Sequence, residues 1–154
     1  MKNYVGTKFI EAREMNRGDY NDYRGWTIPE NENPEDKGYL VKYSDGYESW
    51  SPKDVFEAAY KECNGMTFGI AVELLKKGFK VAREGWNGKG MFLYHVPTAS
   101  YAPCTEIGKE CATDDGKVPY GAYIAMKTAQ GNVVPWLASQ TDMLAEDWVI
   151  VDVE

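Results

Sequence analysis

Histidine is nearly missing. His95 is the single imidazole in the 154-residue chain, so any Ser-His-Asp or Cys-His arrangement would have to be built on it. It lies in the apolar run at residues 91–96, where a packed structural ring is a simpler reading than a metal ligand or a base. Cysteine is scarce too. Cys63, Cys104 and Cys111 make an odd number without a Cys-x-x-Cys pair, which indicates neither a disulfide framework nor a zinc knuckle. No apolar stretch approaches the roughly 20 residues of a membrane span. Residues 1–6 lack the apolar segment of a secretory signal, so the expectation is a cytosolic protein. Cationic excess is absent as well: the formal net charge is −7, which disfavours a nucleic-acid polymer or an anionic membrane as partner. Repeats and low-complexity tracts do not occur. These absences point away from enzymatic chemistry, and the expectation is a protein that is not an enzyme and uses no cofactor.

Aromatic and charged side chains are plentiful, at 14% and 27%, which argues for a folded chain. The length suits one domain or two small ones with a sizeable core. Charge is uneven. Residues 66–96 set Lys76, Lys77, Lys80, Arg83 and Lys89 against Glu73 and Glu84, while the segments on either side are net acidic. Such a basic island can hold a small anion such as a diphosphate. For Lys76 and Lys77 a solvated helix end is the simpler reading.

The first 62 residues read as a small α+β module. Residues 8–15 alternate loosely as a strand, and Asn16-Arg17-Gly18-Asp19 reads as a turn or helix start. Two aromatic-rich strands, residues 39–43 and 47–50, flank Ser44-Asp45-Gly46, a hairpin signal. Ser51-Pro52-Lys53-Asp54 offers an N-cap, a proline at the first helical position and an early acid. Val55, Phe56, Ala59 and Tyr60 follow at helical spacing.

Residues 66–154 read as a second domain, beginning after Glu62-Cys63-Asn64-Gly65. Thr67 can cap a helix with Phe68, Ala71, Val72 and Leu75 on one face, ended by Gly78. Without a glycine-rich loop before it, this helix only weakly resembles a phosphate-binding start. A strand at residues 79–83 leads into Arg83-Glu84-Gly85-Trp86-Asn87-Gly88-Lys89-Gly90. Its three glycines make a bare turn that a ligand can approach. Arg83 and Lys89 suit phosphate oxygens, and Trp86 suits a nucleobase. An ordinary hairpin turn with Trp86 in the core is the competing reading. Beyond the strand at residues 91–96, residues 98–119 read as a long irregular region: a lid, an oligomer contact or a mobile insertion. Strands follow at residues 123–127 and 132–136, and residues 148–153 close the sheet. Between them lies the most specific stretch, Pro135-Trp136-Leu137-Ala138-Ser139-Gln140-Thr141-Asp142. It places a flat indole beside four consecutive donors and acceptors, or else it is a capped turn beside a core residue. Residues 143–148 read as core support behind it. The fold class is therefore α+β: a small antiparallel sheet with helices, preceded by the small α+β module.

Three separated motifs carry a family resemblance. Met66-Thr67-Phe68-Gly69, the run from Val81 to Lys89, and the run from Val133 to Trp148 together resemble the second type of Thoeris anti-defence protein, a family of small phage proteins. The resemblance covers about residues 66–154 and leaves the first 62 outside. It implies a sponge: a protein that binds, intact, the cyclic ADP-ribose isomer made by a TIR-domain immune enzyme, glyco-cyclic ADP-ribose here. It further implies homotetramers with pockets between subunits, cyclic dinucleotides held by some relatives in separate pockets, and action in the cytoplasm of the infected bacterial host. Trp86 and Trp136 are then the stacking residues, and Asn87, Ser139, Gln140, Thr141 and Asp142 the polar contacts. Arg83 and Lys89 are phosphate contacts on chemical grounds. Two other classes stay open: a hydrolase of the signal with Asp142, Glu146 or Asp147 as general base, and a protein-interaction adaptor acting through the aromatic N-terminal module.

Overall fold

The Asp45-Gly46 turn forms as its residues dictate. In the computed structural model, which describes residues 1–3 and 5–151, Gly46 takes φ +85° and the Tyr43 N–H donates to the Tyr47 carbonyl at 2.8 Å. This turn joins β2 (Gly38–Lys42) to β3 (Glu48–Pro52), and β1 (Glu11–Glu14) pairs on the other side of β2 to give an antiparallel β1-β2-β3 sheet. The first strand is shorter than the alternation at residues 8–15 suggested. These strands, with α1 (Arg17–Arg24) and α2 (Lys53–Ala59), make up the first of two units, Met1–Lys61 and Glu62–Glu154.

Local capping fixes both helices of this unit. The Asn16 side chain accepts from the Asp19 N–H at the start of α1, and Gly25 closes it at φ +68°. In α2 the cap shifts by one residue from the expected Ser51. Ser51 is still paired with Tyr39 in the ladder, so Pro52 becomes the cap and makes no side-chain cap bond. The expected apolar face of α2 is also split: Phe56 stacks between Tyr39 and Tyr60, at 4.1 and 4.9 Å, while Val55 is 61% exposed. The core is Tyr20, Leu40 and Val41. Beside it the Arg17 Nε donates to Glu32 at 2.6 Å, and the buried Asn21 amide donates to the same carboxylate at 3.1 Å.

The second unit is built on a six-stranded antiparallel sheet. Its elements are β4 (Asn64–Met66), α3 (Phe68–Lys76), β5 (Lys80–Arg83), β6 (Phe92–Val96), β7 (Ala99–Tyr101), β8 (Val118–Tyr120), β9 (Tyr123–Lys127), β10 (Val133–Pro135), α4 (Gln140–Met143) and β11 (Trp148–Val151). The order is β10-β9-β6-β5-β11-β4. The last strand therefore lies inside the sheet, between β5 and β4, rather than at an edge; its expected end at residues 152–153 lies outside the described residues. α3 packs against β5, β6 and β11, and buries Ala71, Leu74 and Leu75 on the sheet face that carries Val81, Leu93 and Trp148. Apolar burial of this kind, at roughly 25 cal/mol per Å², is what holds a helix of nine residues in place. At its exposed end Lys76 pairs with Glu73 at 2.8 Å, the solvated helix end expected. The architecture as a whole is α+β.

The stretch at residues 98–119 differs from the irregular region expected. β7 and β8 pair antiparallel, Ala99 with Tyr120 and Tyr101 with Val118, around a 3₁₀ turn at Ile107–Cys111. Three-residue strands, one of them containing Pro119, carry too little alternation to read as strands. The Thr113 hydroxyl ties the far end, donating to Asp115 at 2.6 Å while the Thr113 N–H donates to the Lys117 carbonyl.

Candidate functional site

Strand register assembles the site. Trp148, the first residue of β11, lies opposite Arg83, the last residue of β5. The chain leaves β5 through Arg83 into the glycine-rich turn that carries Trp86. β10 delivers Trp136, whose backbone N–H donates to the Ile124 carbonyl at 2.9 Å. Phe68, the first residue of α3, arrives from the helix side. The four rings form one cluster. Trp86 and Trp136 meet Trp148 at 5.6 and 6.0 Å, with ring planes 77° and 81° apart, and each other at 6.4 Å. Phe68 stands 5.6 Å from Trp148 and 6.1 Å from Trp136. Edge-to-face angles of this kind are the favourable ones for aromatic rings. Trp148 is wholly buried, whereas Trp86 and Trp136 are half-buried.

A charged cluster runs alongside. The Arg83 Nε and Nη2 donate to Asp147 at 2.7 and 3.3 Å, and Nη1 donates to Asp142 at 3.0 Å. Asp147 also accepts the Gly85 N–H at 3.0 Å. Asp142 closes a capping box at the start of α4: it accepts from the Ser139 N–H and hydroxyl at 3.1 and 2.7 Å, and its own N–H donates back to Ser139 Oγ at 3.1 Å. The Trp148 indole N–H donates to the Asp142 carbonyl at 3.1 Å. These bonds set the protonation states. The bond from Arg83, and then the Gly85 N–H, hold the Asp147 carboxyl below its usual range against the opposing effect of burial. For Asp142 burial is the largest influence and pushes upward, but the hydrogen bonds from Ser139, Arg83 and Trp86 together outweigh it and leave the carboxyl lowered. Arg83 in turn is raised, chiefly by its bonds to Asp147 and Asp142.

The expected site residues thus fall into three groups. Trp86 and Trp136 come together in one cluster. Arg83, Ser139 and Asp142 come together as well, but their donors and acceptors are directed at one another. Asn87, Lys89, Gln140 and Thr141 are exposed, and their side chains make no hydrogen bond among the described residues. For residues 143–148 the expectation of core support needs correcting. Met143 and Leu144 are 39% and 78% exposed, because α4 is a single turn of four residues whose apolar side chains do not reach the sheet; of residues 143–148 only Trp148 is core. Two participants stand outside the expected ligand-binding set. Phe68 reads from sequence as part of a helix face, and its position at the first residue of α3 is the available signal. Asp147 reads from sequence only as a candidate general base; its bond to Arg83 gives no local sign, since the two are 64 residues apart.

Among the described residues no group of three or more His, Cys, Asp or Glu side chains is placed to hold a metal ion, and no helix is long and apolar enough to cross a membrane.

Comparison with known proteins bears on this second unit. Residues 66–151 match the family described as the Thoeris anti-defense 2-like domain. Over 86 residues the chain is 44% identical to the protein named Thoeris anti-defense 2 of Bacillus phage SP01, an alignment that spans 56% of this chain and 94% of that protein. The whole aromatic and charged cluster, from Phe68 to Trp148, falls inside the matched region.

Proposed function

We propose, because the chain belongs to the Thoeris anti-defense 2-like family, that this phage anti-defence protein counters Thoeris immunity by sequestering glyco-cyclic ADP-ribose without degrading it. The observation that carries the proposal is the pair of half-buried indoles, Trp86 and Trp136, packed on the buried Trp148. Half-buried rings on a rigid aromatic floor offer a planar base a prepared surface, with little side-chain entropy left to lose on binding. Asn87, Gln140 and Thr141 supply exposed polar groups for ribose and adenine, and Lys89 supplies an exposed cation for phosphate. Two of the three carboxylates a hydrolase could use, Asp142 and Asp147, fit sequestration better than catalysis. Asp142 and Asp147 share one arginine and are held below the usual range, which makes them weak bases at neutral pH. The proposal includes homotetramers with pockets between subunits, the host cytoplasm as the place of action, and cyclic dinucleotides as a second ligand class in separate pockets.

Titration calorimetry with glyco-cyclic ADP-ribose tests the site. Wild-type protein gives saturable heat, and Trp136→Ala loses roughly 1–3 kcal/mol of binding, the worth of one stacked base. Equal affinity in the variant would remove Trp136 from the site.

A further inference from the structure

The charged cluster beside the indoles has a geometry that ligand contact does not explain. The hydrogen bonds of Arg83 run inward, to Asp147 and Asp142. With two carboxylates on one guanidinium, the cluster carries a net negative charge, which repels phosphate rather than attracting it. What it does is connect two turns. Asp147 holds the N–H of Gly85, the residue before Trp86. Asp142 holds the N–H and hydroxyl of Ser139, three residues beyond Trp136. The turn that carries Trp86 has few other ties. Between β5 and β6 the ladder registers a single pair, Val81 with Leu93, and the intervening turn contains Gly85, Gly88 and Gly90, the last at φ +71°. Glycine at position 85 is part of the device: a Cβ there would stand 2.8 Å from Asp147 Oδ2.

The geometry points to Arg83 and Asp147 as positioning residues, which through Gly85 and Asp142 fix the two indoles relative to each other and leave phosphate recognition to other groups. This rests on the reading of Trp86 and Trp136 as ligand faces. It separates cleanly from the alternative in which Arg83 itself grips phosphate. If Arg83 were the contact, removing the Asp147 charge would free it, and binding would hold or tighten. If Arg83 and Asp147 act as one unit, breaking either end loosens the same pair of rings, and breaking both adds nothing.

The test is a double-mutant cycle of Arg83→Lys and Asp147→Asn, with glyco-cyclic ADP-ribose titrated into each full-length protein and near-UV circular dichroism recorded without ligand. Each single variant is expected to weaken binding by about tenfold, and the double variant no further, the non-additivity of groups in one network. Both singles are expected to alter the tryptophan bands in the same way while the far-UV spectrum stays unchanged. Unchanged or tighter binding in Asp147→Asn, or losses that multiply in the double variant, would overturn the positioning role. Should Asp147→Asn not fold, Arg83→Lys decides through both readouts, since a fork gripping phosphate would also lose affinity on change to lysine: weakened affinity with altered tryptophan bands in the ligand-free protein supports the proposal, and unchanged bands overturn it whatever the affinity. If wild-type protein gives no heat, the ligand reading fails by itself. The positioning role then stands or falls on whether the two singles share the near-UV change.

Discussion

Trp86, Trp136 and Trp148 show how one residue type takes different roles a few ångströms apart. Trp148 starts an interior strand, lies wholly out of water and donates its indole N–H to the Asp142 carbonyl. The other two sit on it at 5.6 and 6.0 Å and keep part of their surface in solvent. The energetic consequences differ. Trp148→Ala leaves a large cavity under α3 and is expected to cost about 3–5 kcal/mol of stability, the range for truncating a buried aromatic. Trp86→Ala removes a ring from a turn and costs far less. Urea unfolding of the two variants checks this, and equal losses would place Trp86 in the core rather than in a ligand site. From sequence Trp148 reads as core support, while Trp86 and Trp136 each read either as a stacking face or as core. What separates them is depth, set by β11 lying between β5 and β4.

At the scale of elements, what was legible followed the distance over which each feature is decided. The Asp45-Gly46 hairpin and α3 were legible because neighbours within a few residues dictate them, and the start of α1 was legible only as a turn or helix start. The Arg83–Asp147 bond was not, because β5–β11 register creates it across 64 residues. The β7–β8 ribbon was not either, its strands being too short to show a period. In the first unit a shorter tie, across 15 residues, anchors the loop after α1. Glu32, on that loop, takes hydrogen bonds from Arg17 and Asn21 of α1, and these draw its carboxyl from 4.5 to about 2. A depressed pKa gives stability that is fully present above the unfolded value and lost as pH falls through the folded one. The wild-type protein is therefore expected to melt above Glu32→Gln by a constant margin at pH 6 and higher. The margin shrinks between pH 4.5 and about 2. Thermal melts across that range check it, and a margin independent of pH would show that the Glu32 charge does not matter.

For the molecule as a whole, the two units carry different kinds of information. The family match covers residues 66–151, and the aromatic cluster, its charged clip and the exposed polar residues all lie within it. Met1–Lys61 forms a separate unit with its own sheet and core outside that match. The proposed sequestration rests on what the second unit presents: flat rings on a packed floor, exposed amides and hydroxyls, and carboxylates already bound to an arginine. Sequestration differs from destruction in one observable, the state of the ligand after release. Glyco-cyclic ADP-ribose incubated with excess protein, followed by heat denaturation and chromatography of the supernatant, reads that state directly. Recovery of the intact nucleotide, with none free before heating, is the expected result. Hydrolysis products in the supernatant would contradict it.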